Sequence, residues 1–308
     1  MVDEMEALSG KRIGVFGKGG AGKSTVVVLL AKALRDRGYG VCVLDADSTN
    51  VGLHQALGLD RPPVPLMEYF GGTVFSGGSV SCPVDDPAPL PGARISLDGL
   101  AEKYRAQSPE GVSLLAAGKI GGQGPGAGCD GPVSKIARDL RIGGEGQRLV
   151  TLIDFKAGLE DSARGVITSV DWAIVVIDPT NAGIQMAIDM KDMVGQIQAG
   201  ALPATRHLAD PELVELAEKA FREARIRGVL FVLNKVSDEE TQSYLRRRLE
   251  ENGIEPMGTI HANASIATAW LTGTSLEKTD ARKDVQRIVE KLEAAEEARS
   301  STTSSQKQ

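Results

Sequence analysis

The sequence predicts an α/β protein built on a doubly wound, mostly parallel sheet. Short apolar runs alternate with helical segments along most of the chain, a pattern typical of such a sheet. The runs 172–177 (WAIVVI) and 228–233 (GVLFVL) are almost continuously apolar, as expected of strands covered by helices on both faces. These observations favour three layers, with helices on each side of one sheet.

Each element is assigned from its own residue pattern. Predicted strands occupy 11–16, 40–44, 111–117, 148–153, 172–177 and 228–233. Predicted helices occupy 23–37, 183–199, 211–225 and 238–252. Apolar residues recur at helical spacing near the end of the chain and predict a last helix that packs one stripe on the body: Val285, Ile288, Val289 and Leu292.

We interpret the 308 residues as one domain, although about 150 residues per domain would suggest two. No internal repeat or second hydrophobic pattern is present. We expect an N-terminal extension at 1–10, the domain at 11–298 and a disordered tail at 299–308. The Pro- and Gly-rich segment 61–95 predicts an irregular surface excursion from the domain.

Composition argues against several classes of function. The net charge is −6 and aromatic residues make up 4%, so nucleic-acid binding is not expected. Apolar runs fall far short of the ~20 residues that span a bilayer, and the acidic N-terminus lacks the apolar core of a signal peptide. Three cysteines cannot close a disulfide framework. We therefore expect a cytoplasmic protein without membrane insertion.

The strongest motif lies between the first predicted strand and helix. The segment 17–25 (GKGGAGKST) satisfies G-x-x-x-x-G-K-[ST], the phosphate-binding loop. Glycines let successive N–H groups form a concave anion site, which the dipole of the following helix reinforces. Lys23 is expected to bind the β- and γ-phosphates of a nucleotide, and Ser24 to coordinate Mg²⁺. The alternative is a glycine-rich turn without a ligand. The predicted nucleotide-binding residues of this loop are Gly17, Gly19, Gly20, Ala21, Gly22, Lys23, Ser24 and Thr25.

Four polar side chains follow predicted strands. Asp45 and Asp47 follow the second strand, Asp154 follows 148–153, and Asn234 follows 228–233. Strand-end side chains of a parallel sheet lie beside the phosphate loop. An amide also offers the donor and acceptor that suit the edge of adenine. The alternative for each is a turn or a helix cap.

Lys18 directly follows the first loop glycine, which completes the deviant Walker A pattern K-G-G-x-G-K-[ST]. The sequence therefore resembles the MinD-like superfamily of P-loop ATPases, which includes the nitrogenase iron protein, partition ATPases and metal-centre maturation ATPases. The resemblance implies a P-loop NTPase fold and a homodimer that closes around ATP. It also implies that Lys18 reaches the nucleotide of the partner protomer, where a cation stabilises charge at the γ-phosphate. A solvated loop lysine is the alternative.

The resemblance also implies roles for the strand-end side chains. Asp47 would orient or activate the attacking water. Asp45 and Asp154, with Ser24, would hold magnesium directly or through water. Asn234 would bind adenine.

One segment indicates a branch of this superfamily. Residues 154–165 (DFKAGLEDSARG) look like the D-x-E-A-G-x-E-H-x-x-R-G run of CooC-type ATPases, which serve nickel insertion into carbon monoxide dehydrogenase. Lys156 replaces an acid of that pattern and Asp161 replaces a histidine.

Cys129 is a candidate ligand for a metal ion. CooC-type proteins carry C-x-C after a glycine-rich approach, but here the second position is Gly131. A symmetric dimer would then offer two Cys129 thiolates as ligands for nickel or zinc at the dimer seam. A structural or unused cysteine is the alternative.

The resemblance favours an ATP-hydrolysing dimeric switch that assists metallocentre assembly, with a client metalloenzyme of the nickel-containing carbon monoxide dehydrogenase type. The alternative is a MinD- or ParA-like positioning or regulatory switch that acts through partner binding. A lipid-binding terminal helix should be basic. This one is acidic, carrying Glu290, Glu293, Glu296 and Glu297.

Overall fold

The computed structural model describes residues 7–119, 129–143, 149–276 and 279–305. The strands in this part of the chain are β1 (Arg12–Gly17), β2 (Gly40–Ala46), β3 (Arg94–Ile95), β4 (Ala106–Gln107), β5 (Ser113–Ala116), β6 (Arg141–Ile142), β7 (Leu149–Phe155), β8 (Trp172–Ile177), β9 (Gly228–Val236) and β10 (Gly258–His261). The α-helices are α1 (Lys23–Asp36), α2 (Leu53–Ala56), α3 (Leu66–Tyr69), α4 (Gly131–Asp139), α5 (Glu160–Ala163), α6 (Asn181–Gln198), α7 (Pro211–Arg222), α8 (Glu239–Glu250), α9 (Ala264–Thr272) and α10 (Ala281–Ser305). Short 3₁₀ helices lie at Val74–Ser76, Glu102–Tyr104 and Val166–Ser169.

The main sheet has eight strands in the order β10-β9-β8-β1-β7-β2-β5-β4. Neighbouring strands are parallel except β4, which runs antiparallel to β5. The chain winds outward from β1 through β2 to β5, returns to β7, and then winds the other way through β8 to β10. The predicted doubly wound sheet is confirmed, and the carboxyl ends of β1, β2 and β7 meet at one edge.

Helices cover both faces of this sheet. Along β2 and β7 alternate side chains enter opposite cores, because successive residues of a strand point to opposite faces. Val43 and Leu152 pack in the core beneath α1 and α10. Leu44 and Ile153 pack in the other core, which α4, α6 and α8 complete. The predicted three layers are present.

Arg12 joins the base of β1 to the C-terminal end of α4. Its guanidinium donates hydrogen bonds to the carbonyl oxygens of Leu140, Ala137 (2.7 Å) and Ser169 (2.9 Å). Burial lowers the pKa of this guanidinium to about 9. The last turn of α4 is thereby fixed to the central strand that carries the phosphate loop.

Two segments differ in detail from the expected domain organisation. The segment 61–95 contains only short helices and the short strand β3, and its Leu66 and Val80 are fully buried, so it contributes to the core as well as to the surface. Within the expected N-terminal extension, Leu8 is also fully buried, and residues 1–6 lie outside the described part.

Helix α10 buries the predicted apolar stripe and continues to Ser305, beyond the expected domain end at residue 298 and into the segment expected to be disordered. Residues 306–308 lie outside the described part. At 25 residues this helix is long, but charged residues interrupt it. Within the described ranges, no helix combines the length and the apolarity needed to cross a bilayer.

Candidate nucleotide-binding site

The phosphate loop connects β1 to α1 at the sheet edge described above. Gly17 has a φ of 150°, and a Cβ there would lie 2.7 Å from the carbonyl oxygen of Val176. Gly22, the residue before α1, has a φ of 92°, in the left-handed region. Both positions therefore require glycine. Lys23 is the first residue of α1 and is buried, and its Cγ would lie 3.4 Å from a Cβ built on Gly17.

A buried carboxylate and a hydroxyl form a candidate magnesium site. Ser24 Oγ donates a hydrogen bond to Asp154 Oδ2 (2.6 Å). The Asn50 amide donates to Ser24 Oγ (2.8 Å) and to Asp154 Oδ2 (3.4 Å). Asp154 Oδ1 is buried without a hydrogen-bond partner, and burial raises the pKa of this carboxyl to about 6. Since a hard cation prefers such oxygen ligands, this donor set fits Mg²⁺.

Asp45 is engaged by a lysine that the sequence analysis did not single out. Lys119 Nζ lies 2.6 Å from Asp45 Oδ2 and donates to the backbone oxygen of Asp47 (2.6 Å). The backbone N–H of Asp47 donates to Asp45 Oδ1 (3.2 Å). Burial raises the pKa of Asp45 to about 7, although Lys119 opposes the shift. Asp45 thus supports the backbone of Asp47, and its role toward magnesium stays a prediction.

Asp47 borders the site itself. Its Oδ1 accepts hydrogen bonds from the backbone N–H (3.0 Å) and the hydroxyl (2.7 Å) of Thr49. These bonds hold the Asp47 carboxylate beside the phosphate loop. Its predicted action on water is compatible with this position and stays a prediction.

A cavity of about 740 Å³ adjoins the phosphate loop, within the range typical of small-molecule sites. Asn234 lines it and donates from Nδ2 to the carbonyl oxygen of Ala21 (2.8 Å), and Lys235 Nζ donates to that of Gly20 (2.8 Å). Apolar side chains of α9 form another wall of this cavity. The predicted site residues that border this cavity are Gly19, Gly20, Gly22, Lys23, Ser24, Thr25, Asp47 and Asn234.

The Lys18 side chain contacts residues of its own chain. Its Nζ lies 2.9 Å from Asp178 Oδ2, just beyond β8, and donates to the carbonyl oxygen of Gly19 (3.2 Å). The reach into a partner protomer therefore stays a prediction.

Asp130 connects three functional segments. Its carboxylate accepts hydrogen bonds from Ser48, beside Asp47, and from Lys156, which follows β7. Burial alone would raise the pKa of Asp130, but these bonds hold it below its usual range. The lysine that departs from the CooC-type pattern is thus neutralised by the residue that follows Cys129.

Cys129 lies just before α4. Its side chain is exposed, and its Sγ accepts a hydrogen bond from the backbone N–H of Gly131 (3.4 Å). It does not border the nucleotide cavity. In the described ranges there is no group of three or more His, Cys, Asp or Glu residues placed to hold a metal ion. A metal site that includes Cys129 stays a prediction.

Comparison with known proteins places these features in context. The profile of the CobQ/CobB/MinD/ParA nucleotide binding domain matches residues 15–276. An uncharacterized ATP-binding protein of Methanocaldococcus jannaschii is 30% identical over 283 residues, which cover 91% of this chain and 100% of that protein. The carbon monoxide dehydrogenase accessory protein CooC of Rhodospirillum rubrum is 31% identical over 191 residues, covering 59% of this chain and 68% of that protein.

Solved structures give the same fold. The cell division ATPase MinD of Pyrococcus furiosus superposes with a TM-score of 0.57 at 19% identity, over 92% of this chain and 99% of that one. The septum site-determining protein MinD of Pyrococcus horikoshii, complexed with Mg-ADP, gives 0.57 at 18% identity, over 92% and 95%. At these identities the likeness concerns the fold alone.

Proposed function

Because the chain belongs to the CobQ/CobB/MinD/ParA nucleotide-binding family, we propose that it is an ATPase switch that dimerises around ATP and assists assembly of a metalloenzyme centre. The proposed client is a nickel enzyme of the carbon monoxide dehydrogenase type, and the expected compartment is the cytoplasm. The observation that carries the ATPase proposal is the partnerless oxygen of buried Asp154 beside Ser24, at the foot of the phosphate loop.

The proposed reaction is hydrolysis of ATP to ADP and phosphate. The loop N–H groups and Lys23 would hold the β- and γ-phosphates, and Ser24 and Asp154 would hold magnesium directly or through water. Bound magnesium supplies neutralisation of phosphate charge. Asp47 would orient water at the γ-phosphate. Asn234 would contact adenine once its amide no longer donates to the carbonyl oxygen of Ala21.

Closure of two protomers would couple hydrolysis to a mechanical output. Lys18 would exchange Asp178 of its own chain for the phosphates bound by the partner. Hydrolysis then removes the γ-phosphate that the lysine contacts, so the protomers separate.

The metallocentre role is supported by similarity to an accessory protein of carbon monoxide dehydrogenase. The run 154–165, which resembles CooC-type ATPases, is joined by the Lys156–Asp130 ion pair to the residue that follows Cys129. A nickel or zinc ion would be the cargo. This pair would connect the proposed nucleotide switch to the segment that carries the exposed thiol within one protomer.

A reconstitution assay tests this proposal. A metal-free nickel enzyme of this type would be incubated with nickel, this protein and either ATP or ADP, and its activity followed. We expect activation that requires both ATP and this protein. Equal activation with ADP, or without the protein, would contradict the metallocentre role.

A second candidate is a switch that acts only through partner contacts. The observation that favours it is Val51, which is 81% exposed and adjoins Asn50 at the candidate magnesium site. An exposed apolar side chain there suits a contact that forms when the nucleotide changes. ATP-dependent dimerisation without metal binding and without client activation would support this candidate.

A further inference from the structure

Trp270, on α9, borders the nucleotide cavity and contacts two other segments at its edge. Its Nε1 donates a hydrogen bond to Thr25 Oγ1 (2.8 Å), in the first turn of α1. The benzene ring of the same indole lies against Gly52, since a Cβ built on that glycine would lie 2.9 Å from Cζ3. Gly52 has a φ of −107°, outside the left-handed region, so the indole and not the backbone conformation favours glycine here. Trp270 therefore joins the start of α1 to residues 50–52.

The contacts of Trp270 complete a circuit that starts at the candidate magnesium site. Asn50 Nδ2 donates to Ser24 Oγ (2.8 Å), and Asn50 Oδ1 accepts a hydrogen bond from the backbone N–H of Gly52 (3.1 Å). Gly52 then packs on Trp270, whose indole binds the residue that follows Ser24. Because each member contacts the next, a displacement at one position has to be accommodated by the others.

The hydrogen bond from Trp270 also orients the Thr25 hydroxyl. An indole N–H can only donate, so Thr25 Oγ1 accepts this bond and keeps its own hydrogen for another acceptor. Thr25 borders the nucleotide cavity, so this hydrogen is available to a phosphate oxygen of a bound nucleotide. Occupancy of the cavity would thus be felt at the indole through Thr25.

Magnesium would act on the same circuit from its other end. Asn50 Nδ2 lies 2.8 Å from Ser24 Oγ and 3.4 Å from Asp154 Oδ2, the two oxygens that fit the ion. An ion bound there would compete with the Asn50 amide, because each oxygen has a limited number of lone pairs. Loss of the amide contact frees residues 50–52 to move, and the Trp270 ring then determines where Gly52 can go.

We propose that Trp270 is a positioning residue that couples nucleotide binding to the conformation of residues 50–52. This inference rests on the proposed function, for which it names the side chain that carries the signal out of the cavity. A nucleotide in the cavity contacts the indole and the Thr25 hydroxyl that the indole orients. The rigid ring carries the displacement to Gly52 and to Val51, whose exposed side chain is accessible to a partner.

Hydrogen exchange of the full chain, read by mass spectrometry on peptides that cover residues 50–57, tests this coupling. Exchange would be measured with and without a non-hydrolysable ATP analogue and Mg²⁺, at a saturation established by calorimetry. In the wild type we expect the analogue to change exchange in these peptides by about 10-fold or more. Trp270→Phe lacks the Nε1 donor and the outer ring. Its affinity should fall by about 3- to 10-fold, and its exchange response at saturation should be lost.

A double-mutant cycle tests the contact itself. Gly52→Ala places a methyl group against the indole and should weaken both binding of the analogue and the exchange response. The smaller ring of Trp270→Phe leaves room for that methyl group, so adding Gly52→Ala there should change affinity by less than about twofold. Trp172→Phe is the matched control. Trp172 is buried, binds Glu296 (2.9 Å) and does not border the cavity, so both readouts should be unchanged.

An undiminished exchange response in Trp270→Phe would overturn the inference, as would an equal cost of Gly52→Ala in the two backgrounds. Binding of the analogue by the wild type without any change in peptides 50–57 would overturn it while leaving the proposed ATP site intact. A wild type that does not bind the analogue would overturn the proposed function as well.

Discussion

Lys18 and Asp178 form an ion pair within one chain, with 2.9 Å between Nζ and Oδ2. The lysine lies on the phosphate loop, and the aspartate follows β8 at the same sheet edge. The pair keeps the Lys18 ammonium on its own protomer. Any contact of Lys18 with a second protomer requires that this pair opens first.

We predict that Lys18→Gln leaves ATP binding nearly unchanged but abolishes ATP-dependent dimers. ATP turnover should fall by about a thousandfold or more, as it does when a cation that acts in trans is lost. Light scattering with and without ATP, combined with phosphate release, provides the measurement. Stable ATP-dependent dimers of this variant would contradict a role in trans.

Asp178→Asn is the complementary control for that experiment. It removes the partner but keeps Lys18, so dimers should form at lower ATP concentration than in the wild type. If both variants lose dimerisation equally, the loop fold rather than the lysine is responsible.

Lys23→Ala should weaken ATP binding by about 10- to 100-fold, because it removes a charge-assisted contact to the phosphates. Calorimetric titration with Mg-ATP measures this. Lys235→Ala is the matched control: Lys235 also lines the cavity and binds the loop, at the carbonyl oxygen of Gly20. Its loss should change affinity by only a few fold. Comparable losses in the two variants would contradict the assignment of Lys23.

Asp47→Asn should trap an ATP-bound dimer. Asparagine keeps an oxygen for the Thr49 hydrogen bonds but cannot orient or activate water as a carboxylate does. We expect turnover to fall by about 100-fold or more with ATP binding retained. Rapid filtration of bound, unhydrolysed ATP would show the trapped state, and wild-type hydrolysis would reject the role of Asp47.

The raised pKa of Asp154 predicts that the stability of the folded chain depends on pH. Its pKa is about 6 in the folded chain, against 3.8 for an ordinary aspartate, chiefly because burial disfavours the charged form. Between these pH values the folded chain binds more protons than the unfolded chain, so the free energy of unfolding falls as pH rises. Above about pH 6 the loss of stability caused by burying the ionised Asp154 carboxylate is complete, and it is on the order of 3 kcal/mol.

Asp154→Asn removes this penalty in the nucleotide-free protein. The variant should unfold at higher denaturant concentration than the wild type at pH 8, with a gain of about 1–3 kcal/mol that shrinks toward pH 5. It should also lose the stabilisation that Mg-ATP gives the wild type. A variant that is less stable at pH 8, or that keeps this stabilisation, would contradict the assignment.

Local periodicity was sufficient to predict the layers of the fold. β8 and β9 were identifiable because strands buried on both faces are apolar throughout, and the first βα unit because its loop pattern is specific. Helix α4 was not predicted, since it begins in a glycine-rich stretch. The burial of Leu66 and Val80 within 61–95 depends on contacts with distant strands, which composition does not reveal.

The candidate site could be predicted only where its residues follow strands or belong to the loop. Asn50 and Lys119 were missed because neither stands in a pattern that signals a contact with Ser24 or Asp45. Lys156 was recognised as a departure from a family pattern, but its partner Asp130 was not singled out. That these two side chains neutralise each other depends on the tertiary structure.

Arg12 fixes one end of α4, so the helix can pivot about that end. The guanidinium holds the last turn of the helix against β1, while Asp130 at the first turn is bound by Ser48 and Lys156. The helix has nine residues and is about 13 Å long. A pivot of about 10° around the fixed end would therefore carry the Gly131 end through roughly 2 Å. A small displacement of Ser48 or Lys156 would therefore be enough to move the start of α4 by a comparable distance.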